Sequence, residues 1–342
     1  MIRRTACLIA RDCDPYRNQA IEKHLMDTLP EETAILFLYQ NRRSVLVGRG
    51  QNPWYECPVD SFTMSGGLVG RRLSGGGAVY QDEGCLNAAF LLPKGEFDIS
   101  RQLSILGMAA GALGVQAQAS GRQDLGTAAG RFCTNTFYKN GSAAMHTATL
   151  MISAGLGAMK QALAVEEGRV PAHYRFAPPA AVNLSDINPA IAVQTMQEAL
   201  YWAFARAFGA EPSMLDERML HARSIEQLTQ QFCDRAWIFP PSPPYTFSVA
   251  ERFPWGGAAV QMLAEGGVIR AARIYTDAME CGLFEQIEQA LVGSPFLISA
   301  IGVRFEQKLA WLDAPRLRQM AGDVCNLICG RIREMDRKGG AQ

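Results

Sequence analysis

The sequence predicts an α+β chain with a large amino-terminal unit and a small carboxy-terminal one. Three observations carry this. Short β-favouring runs are interleaved with segments of helical spacing. Asn140-Gly141 joins two β-favouring arms, which is the strongest short hairpin signal. Trp237-Ile238-Phe239 then runs into Pro240-Pro241-Ser242-Pro243-Pro244, a stiff stretch with four prolines in five residues. The expected division is one unit over 1–239, a linker over 240–245 and a second unit over 246–342.

At 342 residues and 48% hydrophobic, the chain can bury a large core. Lys+Arg and Asp+Glu are both 33, so charge points neither to nucleic acid nor to an anionic membrane. No window reaches the roughly 18 uninterrupted apolar residues of a membrane span. The nine cysteines are scattered, odd in number and without Cys-x-x-Cys, which argues against a disulfide framework and fits a reducing cytoplasm. Cys325 and Cys329, one helical turn apart, read as a buried helix face. His24, His146, His173 and His221 show no metal spacing, so no protein metal site is expected. A monomer is the expectation, because no long apolar heptad pattern occurs.

Met1 to Ala10 reads as a first strand, since Arg11, Asp12 and Asp14 end its short apolar run. Asp14-Pro15 supplies an N-cap and first position for a helix to about Met26, with Glu22 and Lys23 marking an exposed face. Ala34–Tyr39, Ser44–Val47 and Ala88–Leu92 read as strands, with a turn at Gly48–Trp54. Ile99–Leu113 is apolar at helical spacing and ends at Gly114. The hairpin arms are Arg131–Tyr138 and Ser142–Ile152. Helices are expected at Leu156–Val165 and Ala192–Phe208, with a Pro-rich connection from Pro171 to Pro189 between them. Gly209 closes the second helix, whose inward residues are Ala199, Trp202, Ala203 and Phe208. Ile225–Phe232 is a helix with Ser224 as its N-cap. Beyond the prolines, Thr246–Val249, Ala258–Leu263 and Val268–Ile274 suggest a small sheet, and Phe284–Val292 and Pro315–Ile332 suggest helices.

Two stretches carry chemistry. The first is Gly70-Arg71-Arg72-Leu73-Ser74-Gly75-Gly76-Gly77-Ala78-Val79-Tyr80. Arginine's planar fork grips phosphate or carboxylate, and glycines let backbone N–H groups approach an anion. An ordinary glycine turn with two surface arginines is the competing reading. Neither a Walker A pattern nor a complete G-x-G-x-x-G is present. The second is the hairpin arm, where strict alternation places Arg131, Cys133, Asn135 and Phe137 on one face. That face could meet an anion held by Arg71 and Arg72, or present Cys133 as a nucleophile beside Arg131. An edge hairpin with solvated polar groups is the plainer alternative.

Over almost its whole length the chain resembles the bacterial lipoate–protein ligase family. The matching pieces are Asp14-Pro15 with Asn18, Gly48-Arg49-x-Gln51-Asn52-Pro53-Trp54, and Arg71-Arg72-x-Ser74-Gly75-Gly76-Gly77-Ala78-Val79-Tyr80. They continue with Gly121-Arg122-x-Asp124-Leu125, His146-x-x-Thr149-Leu150 and Glu251-Arg252-Phe253-x-Trp255-Gly256-Gly257, in the family's order. The resemblance implies a biotin/lipoyl-ligase-like catalytic domain with a mobile accessory domain. It implies ATP-dependent activation of lipoate to lipoyl-AMP, with Mg²⁺, and transfer to a lysine of a lipoyl carrier domain. It assigns ATP to Arg72, Gly77, Ala78, Val79, Tyr80 and Arg131. It assigns the acid to Arg71, Ser74, Gly75, Gly76, Arg131, Asn135 and His146. One departure stands out. The family's catalytic lysine, in a Lys-x-Ser-Gly-x-Ala setting, falls on Arg131, followed by Cys133-Thr134-Asn135-Thr136. Lys139 sits at the wrong end of the arm to replace it. The expectation is a ligase with impaired or redirected adenylation. The alternatives are an octanoyl or lipoyl transferase using Cys133, and a non-catalytic binder.

Overall fold

The computed structural model describes all residues except 1, 121–123, 167, 173, 175–179, 310, 311, 313 and 340–342. His173 and Gly121-Arg122 therefore lie outside the described residues. The chain opens with β1 (Arg4–Ile9), α1 (Pro15–Asp27), β2 (Thr33–Tyr39) and β3 (Ser44–Val47). Asp14 caps α1 as expected, its Oδ1 accepting from the N–H groups of Tyr16 and Arg17 at 2.9 and 3.1 Å. Two single-turn helices follow, α2 (Pro53–Glu56) and α3 (Val59–Met64). They are too short to leave a periodic signal, and Asn52 caps the first by accepting from Trp54 N–H at 3.1 Å.

The Arg–Gly stretch lies between β4 (Leu68–Arg71) and β5 (Val79–Gln81) and is followed by β6 (Cys85–Pro93). Next come α4 (Ile99–Ala112), β7 (Gln118–Ser120), β8 (Asp124–Thr127), β9 (Gly130–Lys139) and β10 (Ala143–Met151). The β9–β10 turn is at Asn140-Gly141, where Asn140 Oδ1 accepts from Ser142 and Ala143 N–H. Then come α5 (Leu156–Ala162), α6 (Leu184–Ile187), α7 (Val193–Phe208), β11 (Ser213–Met214), α8 (Ala222–Cys233) and α9 (Arg235–Ile238). The chain continues with β12 (Phe247–Phe253), β13 (Gly256–Glu265), β14 (Val268–Thr276), α10 (Cys281–Leu291), α11 (Ile298–Leu309) and α12 (Pro315–Gly339).

An eight-stranded mixed sheet forms the body, in the order β11-β1-β2-β6-β10-β9-β8-β7. One face packs on α4 and α7 around Phe90, Ile105, Met196 and Phe204. The other packs on α1 and α8 around Ile21, Phe37, Met145 and Phe232. A small sheet, β4-β3-β5, carries the Arg–Gly loop and has its own core with α3. The carboxy-terminal sheet β12-β13-β14 and α10–α12 enclose a separate core that includes Trp255, Phe284 and Val324.

Four local expectations change. Trp202 is 60% exposed and rests edge-on against Tyr201, because Met196, Leu200 and Phe204 take the inward stripe of α7. His221, three residues before Ser224, caps α8, with Nδ1 accepting from Ser224 N–H at 3.2 Å. Glu22 is buried at 7% exposure rather than solvated. Cys329 is buried and Cys325 only partly so.

Candidate active site

The two adjacent arginines brace the glycine loop. Arg71 donates through Nε to the carbonyls of Trp237 and Ile238, and through Nη1 to those of Gly48, Arg49 and Gln51. Its Nη2 donates to Ile238 O as well. This corrects the expectation that Arg71 touches the acid. Its guanidinium ties two stretches of backbone together, 48–51 and 237–238, and burial lowers its pKa to about 10. Arg72 donates to the carbonyls of Leu46, Gly75 and Gly77 and, at 3.3 Å, to Ser74 Oγ. Arg72 thereby engages the Gly75 and Gly77 carbonyls of the loop, turning two of its acceptors inward. A Cβ on Gly48 would lie 2.0 Å from Gly76 O, and Gly76 itself has φ +91°, so close approach and backbone shape both require glycine there. Nothing lies within 4 Å of the Cβ direction of Gly77, which faces open space.

Arg72, Ser74 and Val79 border a narrow cavity of about 20 Å³ between α1 and the sheet. Tyr80 points the other way into the small core, its hydroxyl donating to Asp82 at 3.1 Å, so only its backbone is available to a nucleotide. Sequence reasoning missed the cavity's buried floor. There Glu22 Oε1 accepts from Tyr39 OH at 2.8 Å and from Thr147 Oγ1 at 2.9 Å. Burial pushes the Glu22 carboxyl up to about 7, against those two hydrogen bonds and the nearby Arg72 charge. The one available signal was the cluster Asn18, Gln19 and Glu22, polar residues on consecutive turns that are all buried.

The hairpin breaks the expected alternation. Leu125 pairs with Cys133 and Gly126 with Arg131, so Phe132 is an extra residue in β9. Phe132 and Cys133 consequently both enter the core under α4 and α7. Arg131 leaves their face and pairs with Asp124, Nη1 to Oδ2, at 2.9 Å. Burial raises the Asp124 pKa despite that arginine. Asp124 Oδ1 also accepts from Asn135 N–H at 3.0 Å, and Arg131 Nε is buried without a partner.

Asn135 and His146 require a second correction. In the register of β9 with β10, Thr136 faces Thr147 while Asn135 faces Ala148. The threonines line the cavity, which puts Asn135 and His146 on the opposite face of the sheet. His146 Nε2 is 2.7 Å from Asn135 Oδ1, and its ring stacks on Phe137 at 4.6 Å. Burial lowers its pKa to about 3, so it stays neutral. Cys133 is fully buried and burial drives its thiol pKa up, the reverse of an activated nucleophile. Lys139, as expected, sits far along the arm, over the Phe97 ring.

The carboxy-terminal unit covers the loop. Gly76 N–H donates to Ala278 O at 3.2 Å and Thr276 N–H to Gly50 O at 2.9 Å. A Cβ on Gly75 would lie 2.3 Å from Ala278 O. Arg49 grips Glu285 in a two-point ion pair at 2.7 and 3.1 Å. Among the described residues no group of three or more His, Cys, Asp or Glu could hold a metal, and no helix is long and apolar enough to cross a membrane.

Residues 14–205 match the model of the lipoyl protein ligase A/B catalytic domain, and residues 242–309 that of the bacterial lipoate protein ligase C-terminus. The chain belongs to the lipoate–protein ligase family. It is an enzyme of the ligase class with a mixed α+β fold. It is 29% identical over 328 residues to a lipoate-protein ligase A of Psychrobacter cryohalolentis, covering 93% of this chain and 96% of that one. The fold is similar to that of P. falciparum LipL1 in complex with lipoate, with TM-score 0.82, 20% identity, and 94% and 99% of the two chains covered. It is also similar to a putative lipoate protein ligase of T. acidophilum with bound lipoic acid. That match has TM-score 0.57 and 18% identity, and covers 70% of this chain and all of that one.

Proposed function

We propose that this ligase activates lipoate, or another medium-chain acid, with ATP and passes the acyl group to a lysine of a lipoyl carrier domain. In the first step a carboxylate oxygen attacks the α-phosphorus and pyrophosphate leaves. In the second the lysine amine attacks the acyl carbon, AMP leaves, and the amine's proton is lost to solvent. The observation that carries this reading is the glycine loop itself. Arg72 holds two of its carbonyls, and it borders a buried slot lined by Thr136 of β9 and by Met145, Thr147 and Thr149 of β10. A loop of backbone donors beside such a slot suits an acyl adenylate.

In this reading the backbone from Gly75 to Val79 takes the phosphates. Arg131, oriented by Asp124, meets the developing charge between acyl and phosphate oxygens. Catalysis is then mostly positioning and charge stabilisation. A Mg²⁺ suits these residues as an ion carried mainly by the nucleotide's phosphates with at most two protein ligands, since no three-ligand cluster exists among the described residues. Its chemistry there is to offset phosphate charge. The nucleotide needs the Gly76 N–H that Ala278 O occupies, so the carboxy-terminal unit must shift for turnover.

The reading takes residues 1–239 as catalytic, 240–245 as linker and 246–342 as accessory, in a cytoplasmic monomer. Buried Cys133 speaks against the acyltransferase alternative. ATP–pyrophosphate exchange with lipoate, followed by mass spectrometry of a lipoyl domain, tests the proposal. Lipoate-dependent exchange and an added lipoyl mass on one lysine are expected. Binding of lipoate without exchange would instead identify a non-catalytic binder.

A further inference from the structure

Trp202 is the largest of the apolar side chains that the fold leaves exposed, and it does not stand alone. Tyr201, against which it rests, donates from its hydroxyl to Pro212 O at 2.9 Å and so joins α7 to the segment before β11. Met214 of β11 is in register with Cys7, whose side chain enters the core under α7, and Ile9 follows Cys7 on the same face of β1. Trp202 on the helix and Met214 and Ile9 on the strands are therefore all exposed on the α7 side of the sheet, toward its β11 edge. Charge on α7 is arranged about the indole. Glu198 stands one turn before Trp202 and Arg206 one turn after it, both exposed on the same face. Neither has an ion-pair partner among the described residues. Ala199 and Ala205, three positions to either side of Trp202, add only a methyl group. The stripe thus reads alike in both directions except for the sign of its charges. Two copies of α7 laid antiparallel about a two-fold axis at Trp202 bring each Glu198 against the partner's Arg206 and each indole over the partner's alanines. Laid parallel, the same stripes would set like charges together. The chain carries 33 residues of each charge, so no long-range repulsion keeps copies apart.

We propose that the outer face of α7, centred on Trp202, is a self-association surface whose partner is a second copy of this chain. One helix face with a single large anchor is smaller than the roughly 1,200 Å² at which stable interfaces begin, so the dimer is reversible, with a Kd of about 10–100 μM. The slot opens on the α1 side of the sheet, where Met145 borders both it and the α1 core. Pairing through α7 therefore covers neither slot, and one chain remains the complete catalytic unit, monomeric when dilute. Sedimentation velocity of the full chain over about 1–300 μM should show monomer giving way to dimer, with nothing larger, because a two-fold contact closes on itself. Trp202→Ala should weaken association at least about tenfold, the scale of an aromatic anchor. Glu198→Arg and Arg206→Glu each place like charges opposite one another, and neither variant alone should dimerise. Mixed together, the two should pair one to one, because each then offers the charge that the other needs. A monomer at every concentration overturns the proposal and leaves the Trp202 face to a different protein. A dimer untouched by Trp202→Ala, or charge variants that fail to pair when mixed, overturns it as well. Absence of ATP–pyrophosphate exchange in the dilute monomer would overturn the ligase reading and leave the self-association standing.

Discussion

Arg71 and Arg131 are both largely buried arginines, yet they are bound in opposite ways. Every nitrogen of Arg71 that can donate does so to a backbone carbonyl, on stretches as far apart as Gly48 and Ile238. Arg131 has one carboxylate partner, Asp124, and a buried Nε with none. A guanidinium saturated by carbonyls works as a brace, because moving it would orphan several acceptors at once. A guanidinium with an unspent donor beside a fixed counter-ion is free to meet a new oxygen. In the proposed reaction the first therefore serves folding and the second turnover.

The largest expected effect comes from breaking the brace. Arg71→Ala should cost at least ~3 kcal/mol, at ~1–3 kcal/mol for each buried carbonyl left unpaired, and chemical denaturation should show it. Arg131→Ala, which strands the Asp124 carboxyl, should cost less stability than Arg71→Ala while lowering ATP–pyrophosphate exchange by ~10²-fold, the scale of losing one transition-state contact. Comparable losses of stability in both variants would erase the distinction between the two arginines. Arg131→Lys sharpens it, since a compact ammonium in place of the fixed fork should raise exchange above the parent.

Glu22 offers a smaller, pH-dependent effect. Its folded pKa of about 7 lies above the ordinary carboxyl value of 4.5, so its contribution to stability is complete below 4.5 and is lost as pH rises through 7. Tyr39, Thr147 and Arg72 are the groups that face it. Glu22→Gln should flatten the pH dependence of the melting temperature across that window and raise stability relative to the parent above it. A parallel pH profile in the variant would show that another group sets the slope. The mildest change is Glu285→Gln. It removes one charge from the partly exposed Arg49 pair, worth at most ~1 kcal/mol, and should lower the apparent KM for ATP slightly by easing the release of Gly76. An unchanged KM would show that the pair does not hold the cover in place.

Much of the body was legible. The cap at Asp14, the Asn140-Gly141 turn and the Arg–Gly loop announce themselves, because each depends on residues adjacent in the chain. Glu22 was misread because a carboxylate beside a lysine on a helix ordinarily faces water. Its burial depends on Tyr39 and Thr147, 17 and 125 residues away. The faces of the hairpin were misassigned for a different reason. One extra residue in β9 shifts every side chain before it to the other face, and nothing in the local composition around Phe132 marks that bulge.

By itself the sequence determined the class of the fold and the family, and it singled out the Arg–Gly loop, all through patterns written in short stretches. Only the tertiary structure decided which of the adjacent arginines and hairpin residues touch the slot. That choice is made by carbonyls, carboxylates and strand register contributed from elsewhere in the chain. Here it turned Arg71, Asn135 and His146 into scaffold and brought Gln19, Glu22 and the threonines to the slot.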